Sequence, residues 1–62
     1  MTNEQKERLR DILEQMDEKE VDTILVSMHN FVDWLYSAAR DIYNAVKYTL
    51  QSVWNWIKSI FS

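Results

Sequence analysis

The chain has 62 residues, no Gly, Pro or Cys, and ten acidic against seven basic side chains, a formal net charge of −3. That composition excludes disulfides and thiolate metal sites, removes the residues tight β-turns depend on, and leaves room for one small domain at most. Frequent Leu, Ala, Glu, Lys, Gln and Met, with charges at helical spacing, predict an all-α protein forming one helical domain over 1–62.

The first predicted helix runs from about residue 3 to 16. Thr2 or Asn3 serves as its cap, Glu4 favours the helix dipole in the first turn, and Leu9, Ile12, Leu13 and Met16 form its apolar stripe. Glu4–Arg8 and Arg10–Glu14 are i, i+4 pairs on its wet side. The stretch "QMDEKEV" ends it: Asp17 and Glu20 have capping-box spacing, and the apolar stripe changes phase across them.

From Val21 onward the apolar phase recurs every eleventh residue. Val21, Val32, Tyr43 and Trp54 form one series, and Ile24, Leu35, Val46 and Ile57 a second. Met28, Ala39, Leu50 and Phe61 form a third, and Phe31, Ile42 and Val53 a fourth. A heptad reading fits only to Ala45 and then places Thr49, Ser52 and Ser59 in the seam. Eleven residues in three turns matches a nearly undistorted helix, so the pattern predicts a long amphipathic second helix, about 18–61 and roughly 65 Å long. A self-associating helical hairpin follows. The competing fold is a compact three-helix bundle, with a break near residue 30 or at 37–41.

Under the hairpin reading the first helix covers only about 21 Å of the second. Leu35, Ile42, Tyr43, Val46, Leu50, Val53, Trp54, Ile57, Ile60 and Phe61 then need a self-association or partner interface, since about 1,000 Å² of apolar surface is more than monomers expose. Trp34, Tyr48 and Trp56 lie off that stripe as candidate exposed anchors. The expected partners are another copy of the chain and a larger protein. A membrane surface lying along the amphipathic segment 31–61 is the alternative.

Charge bears on that choice. Residues 1–30 hold four Lys and Arg against eight Asp and Glu, a net −4, whereas 31–62 hold three against two, a net +1. Without a basic stripe, nucleic acid is an unlikely partner, and the acidic front is repelled by anionic lipid. The charged N-terminus does not resemble a secretory leader, and 42–61 is interrupted by Asn44, Lys47, Gln51, Asn55 and Lys58. A cytoplasmic location is expected, with a membrane-peripheral one as the alternative.

His29 and Asp33 are one turn apart, yet no Ser, Cys or second His completes a catalytic set at helical spacing. Glu14, Asp17, Glu18, Glu20 and Asp22 crowd the turn after the first helix without the Gly-containing loop of a calcium site, as a solvated hairpin end does. No catalytic, cofactor-binding or metal-ligating residue is assigned, and no enzyme activity is expected. "LRDILEQMDEKEVDTILVSMHNFV" resembles short bacterial and phage helical hairpins used for dimerisation, a pattern shared by unrelated proteins. The expected function is a small acidic interaction module that self-associates and binds or inhibits a larger protein. Peripheral membrane binding is the alternative.

Overall fold

The computed structural model describes residues 1–61, and these form five α-helices joined by short turns. Helix α1 is Asn3–Glu14, α2 Glu18–Ile24, α3 Met28–Ala38, α4 Arg40–Val46 and α5 Leu50–Phe61. The all-helical reading holds. The long second helix does not: the segment expected to be one rod is broken three times, and the whole chain spans 26 × 21 × 21 Å.

The first helix begins as the sequence implies. Thr2 Oγ1 accepts from the Gln5 amide at 3.1 Å, and Gln5 Oε1 accepts from the Thr2 amide at 3.0 Å, a reciprocal capping box. The break at 15–17 is also where it was expected, but Asp17 makes no side-chain cap hydrogen bond. Its extended backbone (φ −60°, ψ 140°) starts α2 without one.

Each of these three breaks has a local cause. At 25–27, Leu25 leaves the helical region (φ −94°, ψ 8°) and Ser27 is extended (φ −152°, ψ 157°). Ser27 accepts from the Asn30 amide at 3.1 Å, and the Asn30 side chain donates back to the Thr23 carbonyl at 3.3 Å. Short polar side chains thus offer the backbone an alternative to a continuing helix. At Ala39 (φ −145°, ψ 61°) the chain turns on a single residue. Arg40 Nε donates to the Tyr36 carbonyl at 2.8 Å, satisfying a C-terminal group of α3. The same guanidinium lies 3.6 Å from the Tyr36 ring centroid, and Tyr36 meets Tyr43 of α4 edge-on at 5.1 Å. At 47–49 the Thr49 amide and hydroxyl both donate to the Val46 carbonyl, at 2.8 and 3.3 Å.

These turns fold the apolar ribbon inward. Helix α3 packs on α2, α4 and α5, and its Phe31 lies 5.7 Å from the Trp54 ring of α5. Leu9, Leu13, Phe31, Leu35, Ile42, Val46 and Ile57 have essentially no solvent exposure. Every residue of the eleven-residue series is buried or half-buried, so the series identified the core while misreading the backbone that carries it. Helices α2 to α5 begin at residues 18, 28, 40 and 50, intervals of 10, 12 and 10. The near-eleven period is that of a helix plus its turn.

The surface agrees with a self-contained unit. A monomer of 7.5 kDa is expected to expose about 4,200 Å²; this chain exposes 4183 Å². Its Cα radius of gyration is 10.4 Å, against about 10.6 Å for a compact domain of this length.

Candidate functional site

Helices α1 and α5 lie side by side and run in the same direction. Met1 borders the same depression as Ser52 and Val53, the Lys6 ammonium lies 5.8 Å from the Trp56 ring, and Leu13 shares a hollow with Ile60. The parallel arrangement follows from the intervening α2–α4 returning the chain to its starting end. The seam between the two helices is not fully closed. Three open depressions lie along it, and they make it the candidate site.

The first, about 260 Å³, is lined by Met1, Lys6, Thr49, Ser52, Val53 and Trp56. The second, about 290 Å³, lies across Trp56 among Asn3, Lys6, Glu7 and Arg10. Trp56 is therefore a half-buried ridge between two shallow basins, its ring held by the Lys6 cation. The third is larger, about 480 Å³, where α1 ends, α2 begins and α5 finishes. The buried or half-buried Leu13, Met16, Val21 and Phe61 form its floor, and the exposed Glu14, Glu18, Asp22 and Ile60 its rim.

The sequence-derived interface residues divide between two environments. Leu35, Ile42, Val46, Val53 and Ile57 are in this chain's own core, so their burial needs no second molecule. Tyr43, Leu50, Trp54 and Phe61 are half-buried against that core. Ile60 is 38% exposed and belongs to the seam. Among the expected anchors, Trp34 is half-buried with its ring 6.2 Å from Phe31. Trp56 is at the seam, and Tyr48 projects from the α4–α5 turn at 91% exposure. The structure places Trp56 at the first two depressions and Ile60 and Phe61 at the third, and Tyr48 and Trp34 line none of the three. Sequence reasoning missed the α1 and α2 half: Leu13, Met16 and Val21 with their carboxylates. Their signal was the phase change at 15–17, which aims two apolar stripes at one corner.

The polar residues offer little chemistry. His29 Nε2 and Asp33 Oδ2 are 3.2 Å apart, with side chains 82% and 69% exposed, and line none of the three depressions. Among the described residues no polar side chain is buried, and no group of three or more His, Asp or Glu is placed to hold a metal ion. Arg8 of α1 pairs with Asp41 of α4, and this guanidinium holds the Asp41 carboxyl below the usual carboxylate range. Arg10 reaches Glu14 at 3.8 Å, as the spacing implied. No described helix is long and apolar enough to cross a membrane. No family model, curated protein or solved structure matches this chain.

Proposed function

We propose that the chain is a non-enzymatic protein-interaction module, which occupies a surface of a larger protein through the α1–α5 seam. One observation carries this reading: Trp56, Ile60 and Phe61 stay partly exposed at separate open depressions between α1 and α5, while Leu35, Ile42, Val46, Val53 and Ile57 of the same ribbon are interior. Partly exposed aromatic and aliphatic side chains beside concavities are the usual anchors of protein recognition. A groove between two parallel helices suits an amphipathic segment laid along it.

Self-association is the weaker reading, because five of the ten residues expected at an inter-chain seam, Leu35, Ile42, Val46, Val53 and Ile57, fill this chain's own core. Membrane binding through 31–61 requires α3, α4 and α5 to open and turn their buried faces outward, and it takes second place. Among the described residues no titratable side chain is buried, which gives a catalytic role little support.

The test is selection of helical peptides from a random library against the folded full-length chain. Selected binders are expected to weaken by about tenfold against Trp56→Ala and against Ile60→Ser, with circular dichroism confirming that both variants fold. Ile60 is exposed enough for its substitution to leave the core intact. A library that yields no binder, or binders indifferent to both substitutions, overturns the reading.

A further inference from the structure

The third hollow differs from the other two in charge. Three carboxylates, those of Glu14, Glu18 and Asp22, stand around an apolar floor, whereas the basins flanking Trp56 carry Lys6 and Arg10 with Glu7. Of the three rim groups, Glu14 has Arg10 at 3.8 Å, a distance typical of a loose surface pair. Glu18 and Asp22 are four residues apart on α2, a like-charge spacing that works against the helix carrying them.

Helix α1 ends at this hollow with no basic residue in its last turn, and the amino end of α2, which begins there at Glu18, opposes the carbonyl end of the α1 dipole. The last turn contains Asp11 as well as Glu14. The hollow thus combines apolar side chains with three carboxylates within one corner.

On the interaction reading above, we propose that this corner is a docking site for a cationic amphipathic segment of another protein. One or two large apolar side chains of that segment fill the hollow between Met16, Val21, Ile60 and Phe61. Lys or Arg within a helical turn on either side meet Glu14, Glu18 and Asp22. The volume of about 480 Å³ suits anchoring side chains rather than a whole helix, so the segment crosses the corner and inserts only its anchors. Complementary charge fixes which partners are admitted and speeds their encounter, while the floor supplies the retention.

The experiment is an amide NMR titration of the full chain with an amphipathic peptide of Leu and Lys, about 16 residues long. A peptide with the same Leu stripe and Glu in place of Lys, and vesicles containing anionic phospholipid, are run in parallel. The Leu–Lys peptide is expected to shift Met16, Val21, Asp22, Ile60 and Phe61. Its affinity is expected to fall about tenfold in the double variant Glu18→Lys, Asp22→Lys and several-fold with added salt, and the Leu–Glu peptide is expected to bind at least about tenfold more weakly. Circular dichroism of the double variant shows whether the fold survives, and both substituted residues are exposed.

Equal affinity for the double variant, or for the Leu–Glu peptide, overturns the cationic assignment and leaves the interaction module standing. Shifts confined to Trp56 and Tyr48 do the same. Shifts at the corner that appear on concentrating the protein alone replace the foreign segment by a second copy, and also overturn it. Binding to vesicles with no response to either peptide removes both the docking site and the interaction module.

Discussion

Phe31 shows how much one side chain can carry in a core this small. It is fully buried in α3, and its ring lies near both Trp34 of its own helix and Trp54 of α5. Truncating a buried Phe costs about 3–5 kcal/mol, and a core of this size supplies about the same in total. Phe31→Ala is therefore expected to leave the chain largely unfolded at room temperature, as read by thermal circular dichroism. A cooperative transition retained within a few degrees of wild type contradicts that. The Arg8–Asp41 pair is a smaller matter. Both side chains are more than half exposed, so solvent screening limits what the pair contributes. Its pH dependence still has a definite sign. The folded carboxyl titrates below its unfolded value, so the pair stabilises above the unfolded pKa, and that contribution is lost as pH falls through the folded one. Arg8→Gln is expected to melt slightly below wild type at neutral pH and together with it once the pH is below the lowered pKa of Asp41. A difference that persists in acid assigns the effect to packing of the Arg8 stem instead.

At the scale of elements, the question is why five helices were read as two. Apolar phase was the guide, and it located the core: Ile24, Leu35, Val46 and Ile57 are all buried. Phase reports which side of a residue meets the interior and is silent on whether the axis has turned between repeats. Gly and Pro, the usual punctuation, are absent here, so the turns use residues that also occur within helices. Ser27 three residues before Asn30 was a legible cap, and the break expected near residue 30 lies there, a few residues early. The expected alternative at 37–41 contains the turn at Ala39. No cap residue marks that position; the contacts that hold it, Arg40 reaching back to Tyr36 and Tyr36 meeting Tyr43 edge-on, join residues on either side of the bend. The failure of the heptad reading after Ala45 was a sign of the break at 47–49, where Thr49 closes the turn. For the candidate site, Trp56, Ile60 and Phe61 were legible as apolar residues of the last helix. The corner that Ile60 and Phe61 share with Leu13 and Val21 was not, because it depends on α5 returning beside α1. Carbon chemical shifts test the arrangement directly. Helical values are expected to lapse at 25–27, at 39 and at 47–49; unbroken helical values from 18 to 61 contradict it.

For the whole molecule, the central claim is that the chain hides its own apolar ribbon by turning three times. The alternative is the extended hairpin, whose second helix alone is roughly 65 Å long and whose exposed stripe demands company. The two differ in size and in mass at once. Small-angle X-ray scattering across a dilution series measures both. The folded chain, with a Cα radius of gyration of 10.4 Å, is expected to scatter as a monomer near 11 Å at every concentration. A radius approaching 19 Å, the value for a rod of roughly that length, or a mass that doubles with concentration as the radius grows, contradicts it.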